Sequence, residues 1–404
     1  MTNKKARVLM LQGPLGPFFA DLAQALSAAG AETHRICFNK GDWHFAQADH
    51  VHLFEDTADS WSVFLDDFLI EHAIEAVCCY GDSRHYHSAA RQVCDARGIP
   101  VFCFEEGYVR PGFVTMERGG NNANSPFPEA FAAGSLPDQR KPEAASIDGH
   151  FRFQFWFATL YYIVKDWKLM GFGGYRHHRR GNWAHETLAW IRAGLRKHIY
   201  SRFVEKGLTE QLMADTTGPL FTVPLQVAVD AQMIYHSPYG SVADFIDEVL
   251  RSFAESAPKD ARLLIKHHPM DRGFTHYGGL INRLSRGLGC ADRVIYAFDI
   301  DLDRILEHSD GCITVNSTVG LTALELGTPT LTLGKSMVGA AGLTSAKSLS
   351  EFWDSPGSVD QTKVEAFKMS LVTQTQIPGS FYRDRQVAAR AAACKLMSVA
   401  LQSR

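Results

Sequence analysis

Two adjacent acids at the end of an apolar run suit proton transfer. Glu105 and Glu106 close the run that begins at Pro100. Because successive side chains on a strand point to opposite faces, one carboxyl group can face a ligand while the other pairs locally. A carboxylic acid in a cleft is the usual proton donor or acceptor of glycosyl chemistry. An ion pair between one glutamate and Arg110 is the structural alternative.

A third acid suits nucleophilic attack. Asp230 follows the apolar run Leu220–Val229 and lies between Gln226 and Gln232. The end of an apolar strand, flanked by two glutamines, is an unusual place for a purely structural carboxylate. As a nucleophile, Asp230 would attack an anomeric carbon and form a covalent glycosyl-enzyme.

A basic cluster with the sequence KHHPMDRG follows the apolar run Arg262–Lys266 and can hold a phosphate. We expect His268, which precedes Pro269, to contact the phosphate, with Lys266 and Arg272 in support. Adjacent histidines diverge on an extended chain and no third ligand is evident. We therefore expect no metal at this cluster.

Asn316, Ser317 and Thr318 form a second candidate phosphate site, where a predicted strand passes into a helix. All three residue types are strong N-caps, and the amides of a first helical turn bind anions. Helix capping alone would need only one of them. Three together, followed by Gly320, favour a phosphate pocket.

A further polar cluster follows the apolar run Ile74–Tyr80. Gly81 permits a sharp turn, and we expect Asp82 or Ser83 to cap the next helix. Capping does not account for the cationic side chains that come next, which we expect to face a cleft. The candidate acceptor-binding residues are Arg84, His85, His87, Tyr108 and Arg110.

These clusters follow predicted strands in two series of alternating strands and helices. Such series indicate parallel sheets with right-handed crossovers, whose ligands bind outside the carboxyl ends of the strands. The predicted fold class is α/β, with two Rossmann-like, doubly wound domains at 1–210 and 211–404. The last predicted helix, Tyr382–Leu401, can return to the N-terminal domain.

Composition excludes several functional classes. The 404 residues are 46% hydrophobic and 21% charged, which excludes global disorder, and a net charge of -3 argues against a nucleic-acid partner. Eight cysteines without a CxxC pair indicate buried, reduced thiols and no structural zinc site. No apolar run approaches the about 20 residues of a membrane span, and the N-terminus lacks a signal h-region, so we expect a cytoplasmic protein. The missing Walker, full GxGxxG and GxSxG motifs disfavour ATP, dinucleotide and hydrolase functions.

The segment of about 151–205 is rich in aromatic and then in basic residues. One interpretation is a helical connector whose aromatic side chains pack between domains. Another is a surface that contacts anionic lipid head groups, with Arg176, Arg179 and Arg180 as candidate contacts. RNA binding is the third interpretation, although no recognised RNA-binding module accompanies the basic residues.

Taken together, five motifs resemble the capsular polysaccharide biosynthesis family of β-Kdo transferases. They are GDSRHYH at 81–87, FEEGYVRP at 104–111, VPLQVAVDAQ at 223–232, KHHPMDRG at 266–273 and TVNSTVGLTALELGTP at 314–329. The resemblance implies a GT-B fold in which the C-terminal domain binds CMP-Kdo and the N-terminal domain presents the acceptor. It also implies β-linked transfer of Kdo to phosphatidylglycerol or its lyso form, at the inner face of the cytoplasmic membrane.

Because CMP-Kdo is itself β-linked, a β-linked product means retention of configuration. By resemblance, Asp230 is the nucleophile and Glu105 or Glu106 is the acid/base. No metal or cofactor is implied beyond the donor, and capsule synthesis or export proteins are implied partners. The donor-binding residues implied are Gln226, Lys266, His268, Pro269, Arg272, Asn316, Ser317 and Thr318.

Two alternatives remain at this stage. A GT-B enzyme that uses a UDP-linked sugar would share the architecture but need a uridine pocket. A non-enzymatic export adaptor would use its basic face to dock a membrane transporter, and would leave the candidate catalytic acids without a role.

Overall fold

The structure, a computed structural model, describes residues 5–136, 142–145, 150–166, 172, 175, 183–228 and 231–402. The chain forms two compact units. The first comprises Met1–Phe127, Leu136–Trp183 and Met369–Arg404, and the second comprises Pro128–Ser135 and Ala184–Lys368. The C-terminal helix thus belongs to the same unit as the N-terminal strands.

The described residues contain twelve strands and seventeen α-helices. The strands are β1 Arg7–Met10, β2 Glu32–Cys37, β3 His50–Leu53, β4 Ala76–Tyr80, β5 Val101–Glu106, β6 Phe113–Arg118, β7 Leu220–Pro224, β8 Arg262–Lys266, β9 Val294–Ala297, β10 Gly311–Thr314, β11 Thr330–Thr332 and β12 Gln376–Pro378. The helices are α1 Phe18–Ala28, α2 Lys40–His44, α3 Trp61–Glu71, α4 His85–Ala96, α5 Phe127–Ala132, α6 His150–Asp166, α7 Trp183–Ile199, α8 Leu208–Ala214, α9 Ala231–Tyr235, α10 Val242–Ser256, α11 Gly278–Gly287, α12 Leu302–Glu307, α13 Val319–Glu325, α14 Met337–Ala340, α15 Leu349–Phe352, α16 Gln361–Thr375 and α17 Arg385–Gln402.

The sheet of the first unit has the strand order β12-β6-β5-β4-β1-β2-β3. Strands β1 to β5 pair in parallel, whereas β6 and β12 add antiparallel strands at one edge. Helix α1 buries Phe18, Leu22 and Leu26 against one face, as its three- and four-residue spacing predicts, and α17 packs beside it. Helices α3 and α4 cover the other face.

The sheet of the second unit, β11-β10-β7-β8-β9, is parallel throughout. Its core includes the apolar face of α10, which carries Phe245, Val249 and Phe253. Together the two sheets confirm the predicted α/β class with two Rossmann-like parallel units.

The predicted end of β7 needs a correction. Strand β7 ends at Pro224, five residues before the predicted end at Val229. Proline has no N–H to donate to the ladder. After it, the N–H of Leu225 still donates to the carbonyl of Lys266, and the side chain of Gln226 bonds to Asn316. The strand therefore ends six residues before Asp230 in the sequence.

The thiols follow the sequence prediction with one exception. All eight cysteines are free; seven are buried as expected, and Cys394 is exposed.

Within the described ranges, every helix is too short or too polar to cross a lipid bilayer.

A buried carboxyl group, Glu117 on β6, couples the stability of the first unit to pH. It accepts hydrogen bonds from the hydroxyls of Tyr108, at 2.7 Å, and Ser125. Burial raises the pKa of Glu117 to about 7; Asp82 adds to the shift, and the Lys395 ammonium opposes it. The folded chain therefore holds a proton that the unfolded chain releases near the ordinary pKa of 4.5.

We predict that the contribution of Glu117 to the free energy of unfolding falls as pH rises from 4.5 to about 7, because the folded state keeps Glu117 protonated there. Glu117→Gln imitates the protonated acid and should stabilise the chain by about 1–3 kcal/mol at mildly alkaline pH, with little effect at acidic pH. Thermal unfolding at both pH values measures this, with the exposed Glu255→Gln as control. Parallel pH curves for Glu117→Gln and the wild type would contradict it.

Candidate functional site

The carboxyl ends of β4 and β5 bring Arg84 next to Glu105 in the first unit. Gly81, with φ of 70°, turns the chain after β4. A Cβ atom on Gly81 would lie 3.6 Å from Oε2 of Glu105 and 3.7 Å from Nε of Arg84. The guanidinium of Arg84 also covers the Tyr80 ring, with Cζ 5.1 Å from the centroid. A Cβ at these distances would make ordinary van der Waals contact, so the positive φ of Gly81, and not a lack of space, favours glycine at this turn.

The two adjacent glutamates have different surroundings. Glu105 is partly buried, and burial raises its pKa to about 7; the Glu106 carboxylate acts in the same direction, and the Arg84 guanidinium opposes it. Oε1 of Glu105 accepts a hydrogen bond from the N–H of Glu106 at 3.1 Å. Glu106 instead lies beside Tyr382, and its Oε1 is buried without a hydrogen bond in the described chain. A carboxyl group that titrates near neutrality suits general acid–base work, which favours Glu105.

The predicted cap of α4 is wrong. The helix begins after Arg84, which occupies the N-cap position without a side-chain capping bond. Asp82 is buried and accepts hydrogen bonds from the N–H of Asn121, at 3.1 Å, and from Nη1 of Arg91, at 3.2 Å. Ser83 donates its hydroxyl to Asp82 at 2.7 Å. These bonds anchor the loop that carries Arg84, instead of capping the helix.

The other candidate acceptor residues differ in exposure. His87 is buried with Nδ1 2.8 Å from the carbonyl oxygen of Gly81, and burial lowers its pKa to about 3, so the neutral ring supports the turn. His85 is exposed at the start of α4. Tyr108 is buried, and its hydroxyl donates the hydrogen bond to Glu117 described above. Arg110 is exposed and donates Nε to a carbonyl of its own loop at 2.7 Å.

A buried network at the ends of β1 and β2 escaped the sequence analysis. The Asp42 carboxylate accepts hydrogen bonds from Nε2 of Gln12 at 3.1 Å, Nδ2 of Asn39 at 2.9 Å and the hydroxyl of Tyr161 at 3.0 Å. Nη1 of Arg84 donates to Oε1 of Gln12 at 3.1 Å, so the network reaches the arginine beside Glu105. Burial raises the pKa of Asp42. Gln12, directly after the first apolar run, was the one local signal for this network.

In the second unit, β8 leads into the histidine–proline turn. His268 is partly exposed, and its Nδ1 accepts a hydrogen bond from the N–H of Met270 at 3.1 Å. The neutral ring therefore carries its proton on Nε2, from which it can donate to an anion. Pro269 is exposed, whereas His267 is buried with Nδ1 2.8 Å from the hydroxyl of Tyr296. The two adjacent histidines thus diverge.

Lys266 and Arg272 flank this turn, Lys266 as the last residue of β8 and Arg272 directly after Asp271. Both are buried. Nζ of Lys266 donates to the carbonyl of His267 at 3.2 Å, and Nη2 of Arg272 donates to Oδ1 of Asp299 at 2.9 Å. Burial, together with the charge of Arg272, lowers the pKa of Lys266 to about 8. The contacts described for the two cations hold the turn that presents His268.

Gln226 and Asn316 tie the ends of the neighbouring strands β7 and β10 together. Nε2 of Gln226 donates to Oδ1 of Asn316 at 2.8 Å, and the N–H of Asn316 donates back to Oε1 of Gln226 at 3.2 Å. Oγ of Ser317 accepts a hydrogen bond from the N–H of Val319 at 3.2 Å. Thr318 is exposed at the N-cap of α13 and makes no side-chain capping bond. The paired side chains of Gln226 and Asn316 therefore hold the hydroxyls of Ser317 and Thr318 at the edge of the second sheet.

Four predicted site residues lie outside the described residues: Asp230, Arg176, Arg179 and Arg180. The described chain nevertheless approaches the histidine–proline turn shortly before Asp230. The N–H of Ala228 donates to Oδ2 of Asp271, which belongs to that turn, at 3.3 Å.

Comparison with known proteins supplies the family. Residues 75–382 match the family described as "Capsule polysaccharide biosynthesis protein". The chain is 37% identical over 386 residues to the capsule polysaccharide modification protein LipB of Neisseria meningitidis serogroup A, which covers 93% of this chain and 91% of that protein. It is 34% identical over 377 residues to the capsule polysaccharide export protein KpsS of Escherichia coli, which covers 93% and 97%. A glycosyltransferase from Rickettsia africae aligns structurally with a TM-score of 0.38 and 9% identity, over 99% of this chain and 98% of that one.

The match extends well beyond the site itself. All five motifs of the sequence analysis, from GDSRHYH to TVNSTVGLTALELGTP, fall within the matched residues 75–382. The two relatives match nearly their whole length, so the shared sequence includes both units. The family predicted from the motifs is confirmed, and the chain belongs to the capsule polysaccharide biosynthesis family.

Proposed function

We propose that this capsule biosynthesis protein is a retaining glycosyltransferase that moves Kdo from CMP-Kdo to phosphatidylglycerol or its lyso form. The observation that carries the proposal is Glu105, a carboxyl group with a pKa raised to about 7 beside Arg84 at the carboxyl edge of a parallel sheet. Family membership supports a reaction in capsule synthesis. The donor and acceptor are proposed from the motif resemblance.

In the first step, Asp230 attacks the anomeric carbon of Kdo, and the bond from that carbon to the phosphate oxygen breaks. CMP leaves with the bonding electron pair as a phosphate anion, so its departure needs no proton. Nε2–H of His268 and the hydroxyls of Ser317 and Thr318 are the proposed donors to this phosphate. The hydrogen bond from the N–H of Met270 to Nδ1 of His268 supports this role, because it leaves the proton of the neutral ring on Nε2.

In the second step, a hydroxyl of the lipid acceptor attacks the glycosyl-enzyme while Glu105 takes its proton. The Asp230 carboxylate leaves, and two inversions at the same carbon give retention. Arg84 stabilises the ionised form of Glu105, so the base can form although burial opposes its charge. These steps use no cofactor beyond the donor.

Mass spectrometry of lysophosphatidylglycerol incubated with CMP-Kdo and the purified chain tests the transfer. We expect a product that carries added Kdo, and a loss of at least about 100-fold in rate for Asp230→Asn and Glu105→Gln, because each removes a group that acts in the transition state. Glu106→Gln is the matched control and should keep most of the rate.

The donor is tested on the same preparations. CMP should raise the midpoint of thermal unfolding, and UMP or UDP should not; the reverse result would favour a UDP-sugar transferase. Full transfer by Asp230→Asn would contradict the double displacement. A wild-type chain that folds and shifts with CMP, yet makes no product, would favour the adaptor.

The proposed base also predicts a pH dependence. Glu105 must be ionised to accept a proton, so kcat/KM for the acceptor should rise with pH through about 7 and then level off. Arg84→Gln removes the charge that lowers the pKa of Glu105 and should move this rise to higher pH. Initial rates from acidic to mildly alkaline pH measure both effects. If kcat/KM of Arg84→Gln rose over the same pH range as that of the wild type, the assignment of Glu105 as the base would be contradicted.

We further propose a peripheral contact with the inner face of the cytoplasmic membrane. Helix α7 has an apolar stripe at three- and four-residue spacing whose side chains are all at least half exposed: Leu188, Ile191, Leu195 and Ile199. Exposed basic residues accompany the stripe, among them Arg192 and Lys197. An apolar face next to basic side chains is typical of helices that lie in the membrane interface. Arg176, Arg179 and Arg180 belong to the same hypothesis on sequence grounds.

Sedimentation with vesicles tests this contact. Phosphatidylglycerol vesicles should bind the chain, and the double variant Arg192→Gln/Lys197→Gln should bind at least about tenfold more weakly, because each basic residue near an anionic surface contributes about 1 kcal/mol. The triple glutamine variant of Arg176, Arg179 and Arg180 should also bind more weakly.

The matched control is Lys259→Gln/Arg283→Gln, which removes two exposed charges elsewhere in the second unit. Binding of the α7 variant equal to that of this control would discard the α7 surface. Equal binding of the wild type to neutral phosphatidylcholine vesicles would discard the role of anionic lipid.

A further inference from the structure

Three side chains with metal-binding atoms meet at the amino ends of β2 and β3. Strand β2 begins with Glu32, and β3 begins with His50. Glu32 and His34 share a face of the sheet because side chains alternate along a strand. His50 pairs with His34 in the parallel register and joins them on that face. The candidate catalytic residues of this unit lie at the opposite, carboxyl edge.

The distances within the cluster suit one shared ion. Oε1 of Glu32 lies 3.4 Å from Nε2 of His34 and 3.2 Å from Nε2 of His50. All three atoms lie within 4.8 Å of one another. Two ligands bound tetrahedrally to one zinc ion at about 2.0–2.1 Å are about 3.3 Å apart.

His34 has a buried nitrogen whose need for a partner is unmet in the described chain. Its side chain is 3% exposed, and Nε2 makes no hydrogen bond, although Oε1 of Glu32 is near. A buried polar atom without a partner is costly, and a metal ion would supply one.

The surrounding contacts orient two of the three ligands. Nδ1 of His34 lies 3.4 Å from Nε2 of His52; a hydrogen bond from Nδ1–H would leave the lone pair of His34 on Nε2. Oε2 of Glu32 accepts a hydrogen bond from Nε of Arg7 at 3.2 Å, so that Oε1 faces the histidines. Ligating histidines and carboxylates are usually held by such outer partners. The half-exposed His50 side chain provides access from solvent.

We propose that Glu32, His34 and His50 bind one divalent transition-metal ion of the zinc class, with water completing the coordination. Two imidazoles and one carboxylate suit Zn²⁺ or Co²⁺, whereas Mg²⁺ and Ca²⁺ prefer oxygen ligands alone. The ion joins β2 to β3, which is the edge strand of the sheet, and thereby stabilises that edge. This site contains no cysteine. The absence of CxxC pairs, which disfavours a cysteine-based zinc site, therefore does not bear on it.

Titration of the full-length, untagged chain with Co²⁺ or Zn²⁺ alone tests the site. We expect one Co²⁺ per chain with the visible absorption of a four- or five-coordinate ion, displaced by Zn²⁺ and unaffected by Mg²⁺. His50→Ala and Glu32→Gln should each weaken binding more than about tenfold, and His52→Ala by about 10–100-fold. His308→Ala replaces an exposed histidine at the C-cap of α12; it is the matched control and should bind like the wild type.

The partly exposed Glu32 and His50 can be replaced without opening the core, and the midpoint of unfolding without metal checks that each variant folds. Zn²⁺ should raise that midpoint in the wild type and in His308→Ala, and not in His50→Ala. Equal binding by His50→Ala, Glu32→Gln and the wild type would overturn the proposal. So would a folded wild type that binds no ion, or one that binds Mg²⁺ as well as Zn²⁺.

Discussion

The parallel pairing of strands is the constraint on which the candidate site depends. Parallel strands all end at one edge of their sheet, so residues that follow different strands become neighbours whatever their separation in sequence. Arg84 thereby meets Gln12, 72 residues earlier, and Gln226 meets Asn316, 90 residues later. Each of these contacts joins two strand ends by side-chain hydrogen bonds, which tie down the segments that carry Arg84 and Asn316 after their strands end.

The same edge sets the acidity of Glu105 through two opposing effects. Burial beside Tyr80 and the charge of Glu106 favour the protonated carboxyl group, whereas Arg84 favours the carboxylate. If the arginine dominated, Glu105 would be an ordinary carboxylate and a weak base. If burial acted alone, the carboxyl group would stay protonated at neutral pH and could not accept a proton. The balance near pH 7 is what makes this residue suitable for proton transfer, and no single neighbour supplies it.

Sequence patterning located elements and strand ends better than it located side chains. The apolar run Arg262–Lys266 has in the structure the bounds that the sequence predicts, because the run is continuous and ends clearly at the polar residues that follow it. Strand β7 was predicted too long because the apolar residues after Pro224 continue the alternation although the ladder does not. His87, Lys266 and Arg272 were expected to face ligands, yet they are buried. The residue type shows that a side chain can bind an anion or a proton. It does not show whether that side chain is already hydrogen-bonded to neighbouring residues of the protein.

Individual side-chain pairings across long sequence distances had no local signal of their own. Asp42 depends on Tyr161, 119 residues away, and nothing in the residues around either one predicts the pairing. The histidine cluster differs in this respect, because ETH at 32–34 and HVH at 50–52 repeat with the period of a strand and required only the parallel register of β2 and β3 to meet.

The position of that cluster also limits what an ion there can do. The six residues of β2 span about 17 Å, and Glu32 and His34 lie towards its amino end, whereas helix α2, which carries Asp42, follows its carboxyl end. An ion held by Glu32 is therefore too far from the carboxyl edge to polarise a bond that breaks there, since Lewis-acid catalysis requires direct coordination of the reacting group. What it can do is hold β3, whose outer side has no strand partner in the described sheet, against β2. The proposed proton transfer and the proposed metal cross-link therefore lie at opposite ends of the parallel strands of this sheet, separated by the length of a strand.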